Sequence, residues 1–203
     1  MNQKRIIVGI SGASGIAYGI RILEVLKNQE YETHLVMSPS AEKALATETN
    51  KKLLEVHALP NVVHSYADIG ASIASGSFKT DGMIIAPCSI RTLSEIATGV
   101  TSSLLTRSAD VILKERRKLI LLVRETPLHI GHLKTMTKAS EIGAIIFPPV
   151  PAFYSWPKSL EDVVDQTVGR ALDLLDIDIG ILRRWGEPNE KGNAVRAFPT
   201  LKK

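Results

Sequence analysis

The chain has 203 residues, a length that favours one compact unit with a sizeable core over a pair of enzyme domains. At 44% hydrophobic, 23% charged and 5% aromatic, its composition excludes disorder, collagen-like repeats and coiled coil. Twenty-five Lys and Arg against 21 Asp and Glu leave a charge of +4, an excess that suits a small anionic ligand and is too dispersed to specify nucleic acid.

Lys4 and Arg5 precede the first apolar run, Ile6 to Ile10. Gly9 interrupts that run and the polar stretch Ser11-Gly12-Ala13-Ser14-Gly15 follows it, so it is too short for a secretory signal and reads as a buried strand. Ile16, Ile20, Leu23 and Leu26 then repeat at helical spacing. A turn between such a strand and helix lies at the carboxyl edge of an open parallel sheet. Its small residues let backbone N–H groups and a helix N-terminus approach an anion. The turn is neither GxGxxG, GxxxxGK[ST] nor GxSxG, which argues against a dinucleotide fingerprint, a Walker A loop and a hydrolase elbow. Its hydroxyls suit a mononucleotide such as FMN, although the loop alone also fits a tight βα turn that holds nothing.

The next run, Thr33 to Met37, ends in Ser38-Pro39-Ser40, and a third, Met83 to Ala86, ends in Pro87-Cys88-Ser89 followed by Thr92. Any one of these hydroxyls serves equally as a helix cap; three on one edge favour a ligand. Cys88 is the only cysteine. It excludes an internal disulfide and any zinc site needing two cysteines, suits a reducing compartment, and reads as buried packing rather than a nucleophile.

A less regular helical pattern runs from Leu104 to Arg117 and ends in the basic run Lys114-Glu115-Arg116-Arg117-Lys118, read as a solvated helix end. The fourth strand, Leu119 to Val123, delivers Arg124-Glu125-Thr126-Pro127 to the same sheet edge. That places a guanidinium suited to phosphate beside a carboxylate suited to proton transfer, or else a plain surface ion pair. His129 and His132 lack a third ligand and are read as surface or interface histidines rather than a metal site. Ile130, Leu133, Met136 and Ile142 mark a helix capped near Gly143, leading into a fifth strand, Ala144 to Phe147. Prolines at 148, 149 and 151 make Pro148 to Pro157 a structured loop. Ser159 and Asp162 then form a capping box for a helix through Val163, Val164, Ala171, Leu172 and Leu175. No apolar stretch reaches 18 residues, so no membrane span is predicted. Strands alternating with helices predict an α/β protein built from parallel βαβ units. Residues 1–185 are expected to form one domain, with a tail, 186–203, that is mobile or draped over a neighbour.

Several segments together resemble the flavin prenyltransferases, the UbiX and Pad1 group, along nearly the whole chain. They are Gly12-Ala13-Ser14-Gly15, Ala46-Thr47-Glu48-Thr49, Pro87-Cys88-Ser89 with Thr92-Leu93, Arg107 to Lys118 (RSADVILKERRK), Arg124 to Leu128 (RETPL) and Pro151-Ala152-Phe153-Tyr154. The resemblance implies a Rossmann-like or flavodoxin-like open parallel sheet with helices on both faces and a homo-oligomer, typically a dodecamer built of trimers, with its site at subunit contacts; the single cysteine makes the cytosol the default compartment. It also implies transfer of a dimethylallyl group from dimethylallyl phosphate to N5 and C6 of reduced FMN, the product serving a UbiD-type aromatic-acid decarboxylase. Position by position, Gly12, Ala13, Ser14, Ser38, Ser89, Thr92 and Arg124 match FMN contacts. Tyr154 and Arg170, with Arg107 and Lys114, match the prenyl phosphate site. Ser14 and Glu48 match positions implicated in proton and phosphate handling, while Glu125, near the prenyl phosphate site, is a candidate for removing the proton at C6. No Asp-rich DDxxD element is present, which fits a metal-free monophosphate donor.

The chain departs from the pattern at Ser102-Ser103, at His132-Leu133-Lys134-Thr135 and at Ile69, where some relatives carry an aromatic side chain. Ala71 to Phe78 (ASIASGSF) looks like the form in phenolic-acid decarboxylase accessory proteins, favouring service to an aromatic-acid decarboxylase over ubiquinone synthesis. Two other readings remain: a non-catalytic FMN-binding accessory subunit, and a direct flavin-dependent decarboxylase. The second is disfavoured because PPVPAFY stands where the cysteine decarboxylases carry their substrate segment.

Overall fold

A computed structural model describes residues 4–27 and 29–186, so nearly all of the tail expected from 186 onward lies outside the described residues. The chain divides into two compact units, 1–149 and 150–203. The first holds a six-stranded, all-parallel sheet in the order β3-β2-β1-β4-β5-β6. Its strands are β1 (Lys4–Ile10), β2 (Tyr31–Met37), β3 (Val62–His64), β4 (Gly82–Cys88), β5 (Lys118–Val123) and β6 (Ala144–Ile146). The helices of this unit are α1 (Ile16–Lys27), α2 (Pro39–Glu48), α3 (Leu53–His57), α4 (Ile90–Thr98), α5 (Leu104–Lys114) and α6 (Ile130–Glu141). The order reverses between β1 and β4, and in such a sheet the crevice at the carboxyl ends of those strands is where ligands bind.

Parallel strands covered on both faces read as unbroken apolar runs, and β1, β4 and β5 do so. Ile7, Val36, Met83, Ile85, Leu119 and Leu121 point to one face and pack with Leu93, Leu105, Ala109 and Ile112 of α4 and α5. The alternate residue Ile10 faces α1, where a Cβ on Gly19 would lie 2.8 Å from its side chain and 2.3 Å from the Ala86 carbonyl oxygen. Glycine is therefore required at 19 for α1 to lie this close to β4. Each fully buried Ile or Leu in these layers stabilises by roughly 1.5–3 kcal/mol.

Two features differ from the pattern in the sequence. β3 has only three residues, too few for a period-2 signature, and its hydrogen-bonded neighbour β2 supplies the order that makes it a strand. The apolar residues of α6 do not form a buried face: Ala139 is its one buried residue, whereas Ile130 and Leu133 are 67% and 46% exposed. In the second unit the Pro-rich stretch contains a 3-10 turn, Phe153–Ser155, and α7 runs from Leu160 to Asp173. Ser159 Oγ accepts from the Asp162 N–H at 3.1 Å, as the cap predicts, while the Asp162 carboxylate reaches one residue further back to the Lys158 N–H at 2.7 Å.

Candidate functional site

The loop after β1 is stitched to the end of β4. Pro87 has no N–H to give the ladder, and the β4–β5 register shifts between Ile85 and Cys88. The Pro87 carbonyl instead accepts from the Ser11 N–H at 3.1 Å and from Ser11 Oγ at 2.9 Å. Ser11 Oγ in turn accepts from the Ser89 N–H at 2.7 Å. One buried hydroxyl thus donates to one strand end and accepts from the residue beyond it, fixing the two loops that flank the switch point. On the other flank of Cys88, its carbonyl accepts the Arg124 N–H at 3.0 Å, which brings the end of β5 alongside.

The hydroxyls at the strand ends act locally as caps, the reading that the sequence left open. Ser38 Oγ accepts the Ala41 N–H at 3.1 Å at the start of α2. Ser89 Oγ accepts the Thr92 N–H at 3.2 Å and donates to Thr92 Oγ1 at 3.1 Å at the start of α4. The expected use of the α1 N-terminus needs correction. Its leading N–H groups, those of Gly15 and Ile16, are given to Glu48 Oε2 at 2.9 and 3.1 Å, so a carboxylate of the chain already sits where an incoming phosphate was expected. Burial pushes the Glu48 carboxyl up. The Gly15 N–H, the Ser14 hydroxyl, the Ile16 N–H and the charge of Arg124 outweigh that and hold it below its ordinary 4.5. Ser14 and Glu48 are therefore in direct hydrogen-bonded contact, with Glu48 ionised at neutral pH.

Arg124 is exposed and forms no ion pair among the described residues, and the plain Arg124–Glu125 pair weighed from the sequence is not formed. Glu125 Oε1 accepts the Thr126 N–H at 3.1 Å. These residues fit a flavin mononucleotide. Ser38, Ser89 and Thr92 present hydroxyls, and Arg124 adds a cation without an ion pair among the described residues, whereas a Cβ on Gly12 would lie 2.2 Å from the Ser40 Cβ, so glycine there makes room for the start of α2. Cys88 is buried, and that burial pushes its thiol far up, so it packs rather than reacts.

Arg107 and Lys114 lie two turns apart on α5, where Arg107 Nη1 pairs with Asp110 at 2.8 Å and its Nε donates to the Ala74 carbonyl at 3.3 Å. Lys114 pairs with Glu115 at 2.5 Å. Among the described residues of the first unit, no hydrogen bond or ion pair joins Arg107, Lys114 or Glu125 to the Ser11–Gly15 loop. The basic run is not simply solvated: Arg117 donates to Gly76 O at 2.9 Å, Phe78 O at 3.1 Å and Thr80 Oγ1 at 3.2 Å. His129 caps α6, accepting the Gly131 N–H at 3.0 Å, and its ring lies 3.6 Å from that of His132. Among the described residues no three His, Cys, Asp or Glu side chains are grouped to hold a metal.

In the second unit, the Tyr154 hydroxyl donates to the Arg183 carbonyl at 3.4 Å, and Arg170 Nη1 pairs with Asp173 at 2.6 Å. Two residues here escaped the sequence reading. Trp185 meets the Tyr154 ring edge-on, with centroids 5.4 Å apart, and Gln166 is 6% exposed and bonded to both Tyr154 and Arg183. Trp185 stands just before the Gly, Pro and charge pattern of the tail, and a lone Gln at helical spacing carries no chemical signature; only contact across 17 residues reveals it.

Comparison with known proteins bears on the ligand. Residues 1–172 match the family model described as Flavoprotein. The flavin prenyltransferase UbiX of Salmonella typhimurium is 60% identical over 186 residues, 90% of this chain and 98% of that protein. AnUbiX (PadA1), solved in complex with FMN and dimethylallyl pyrophosphate, is similar with a TM-score of 0.90 and 48% identity, covering 92% of this chain and 99% of that one. A dodecameric FMN-dependent UbiX-like decarboxylase from Escherichia coli O157:H7 gives 0.87 and 44%, covering 89% and 98%.

Proposed function

That the chain belongs to the UbiX and Pad1 family of flavin prenyltransferases is the premise from which we propose how its residues act. The protein is an enzyme that binds FMN and transfers a dimethylallyl group onto it. The observation that carries the assignment of parts is Arg124, a cation without an ion pair among the described residues, whose N–H bonds the Cys88 carbonyl next to Ser89 and whose charge acts on Glu48. When bound, reduced FMN supplies N5 and C6 as the atoms to which the allyl group is joined.

Arg124, with Ser38, Ser89 and Thr92, binds the FMN phosphate and ribityl oxygens, and Gly12 and Ala13 let the ring approach the loop. As the allylic C–O bond breaks, its electron pair leaves with the phosphate. Tyr154, Arg170, Arg107 and Lys114 stabilise that charge, most strongly where water is excluded. Ser14 hands protons to and from Glu48, whose ionised state at neutral pH makes it the acceptor. Glu125, or the departed phosphate, takes the proton released when the new ring closes. The reaction needs no metal, uses the monophosphate donor, and supplies its product to a UbiD-type aromatic-acid decarboxylase. The working form is a cytoplasmic homododecamer, with residues 1–185 acting as one flavin-binding domain and 186–203 as its tail.

The test is the mass of flavin recovered after anaerobic incubation of the protein with reduced FMN and dimethylallyl phosphate, with and without a chelator. A flavin heavier by one isoprene unit in both arms is expected. Unaltered FMN despite demonstrated binding overturns the reading, and a product formed only from the pyrophosphate overturns the choice of donor.

A further inference from the structure

Gln166 sits on α7 among the buried residues Thr167, Val168, Ala171 and Leu172, and is itself 6% exposed. A buried primary amide costs several kcal/mol unless its polar atoms are bonded. Here they are: Oε1 accepts the Arg183 N–H at 3.0 Å, and Nε2 donates to the Arg183 carbonyl at 2.8 Å. That two-way exchange with the backbone of one residue fixes which end of the amide is oxygen, since the reversed group would set donor against donor and acceptor against acceptor. The remaining Nε2 hydrogen then has one acceptor in reach, the Tyr154 hydroxyl oxygen at 3.3 Å. Arg183 is tied down a second time by Nη1 donating to the Ser155 carbonyl at 2.8 Å, next to Tyr154 in the chain.

The phenol is therefore held through its oxygen, while its own hydrogen has only a weak partner, the Arg183 carbonyl at 3.4 Å. A phosphoryl oxygen is a charged acceptor and takes such a hydrogen in preference to a distant neutral carbonyl. A phenol oxygen that accepts a hydrogen bond is also a better donor of its own proton. Resting on the reading of Tyr154 as a contact of the donor phosphate, we propose that Gln166 is a positioning residue. It holds the Tyr154 oxygen so that the O–H points at the departing phosphate, and a neutral amide does this without adding a negative charge beside that phosphate.

The experiment is a set of steady-state rates across donor concentration with reduced FMN and dimethylallyl phosphate, with FMN affinity measured in parallel and expected to stay the same. Gln166→Leu should slow transfer roughly 10-fold or more, mostly in kcat rather than in KM for the donor. In the double variant Tyr154→Phe/Gln166→Leu the rate should equal that of Tyr154→Phe alone, because the amide acts through the hydroxyl. Gln166→Glu should be slowest where its carboxylate is ionised and itself captures the Tyr154 hydrogen. It should recover at lower pH, a limb absent from the parent enzyme; this variant also carries the test if Gln166→Leu does not fold. Multiplying losses in the double variant, or a Gln166→Glu profile parallel to the parent's, overturns the role of Gln166 and leaves Tyr154 in place. A Tyr154→Phe enzyme with unchanged rate overturns the Tyr154 assignment, and the inference with it.

Discussion

The strand-end loops of the first unit, proposed to seat the flavin, and the Tyr154 region of the second, proposed to meet the donor phosphate, are built in opposite ways. At the flavin edge the parts are short and their positions are set by backbone: Ser11 joins two loops, Ser38 and Ser89 cap helices, and Gly12 and Ala13 add almost nothing. Around Tyr154 and Arg170 the parts are long side chains, and each is engaged in a local partnership, Arg170 with Asp173 and Tyr154 with Gln166 and Arg183. Backbone-built sites spread their function over many donors. Side-chain sites concentrate it in a few, so the same size of substitution should have unequal consequences.

The sharpest way to break that contrast is Arg170→Ala, which removes the charge proposed to meet the leaving group. A loss of roughly 10²-fold or more in the prenylation rate is expected, with FMN affinity unchanged. A loss of FMN binding instead would show that the two regions are not functionally separate. Ser11→Ala should act in the other direction, on stability before rate. It strands the Ser89 N–H and costs about 2 kcal/mol, read as a lowered Tm, with the chemical step in FMN-saturated enzyme nearly intact. A large rate effect without a fall in Tm would place Ser11 in the reaction itself.

The smallest effect lies away from both regions. His34 is buried with its Nδ1 2.9 Å from His64 Nε2 and its Nε2 3.1 Å from Glu32, while Arg5 bridges Glu32 at 2.9 Å and stacks over Phe78. Burial first, then the neighbouring His64 charge, pushes His34 below its ordinary 6.5, against the opposing pull of Glu32. Burial likewise lowers His64, with Asp68 opposing. Because the folded values lie below 6.5, the stability carried by the neutral pair is complete above that pH. It is lost as pH falls from 6.5 through the folded values. Thermal melts should show Tm falling on the acid side, and His64→Gln should flatten the slope; an unchanged slope would mean other groups set it.

Much of the fold was legible because parallel strands and amphipathic helices write their periods into the chain: Ile6 to Ile10, Met83 to Ala86 and Leu119 to Val123 are strands, and Ile16 to Leu26 is helical. β3 was not legible because three residues carry no period. α6 was legible as a helix from Ile130, Leu133, Met136 and Ile142, but apolar spacing gives a stripe and not its direction, and Ile130 and Leu133 are exposed. The strand-end residues could be nominated from position alone. That Glu48 occupies the first N–H groups of α1, 32 residues away from Ile16, is tertiary information with no local signature. The same holds for Gln166, whose importance lies entirely in what it touches.

Arg117 draws one more consequence. Its guanidinium is consumed by two carbonyls and a hydroxyl inside the 76–80 turn, and Lys114 beside it is neutralised by Glu115. Neutral carbonyls and a hydroxyl orient that guanidinium without cancelling its charge, so Arg117 serves to tie the end of α5 to the 76–80 turn, while the formal excess of +4 already counts Glu115 against Lys114. Beyond a screening length of about 10 Å an excess of that size is largely damped, so small phosphorylated molecules are sorted by contacts at short range.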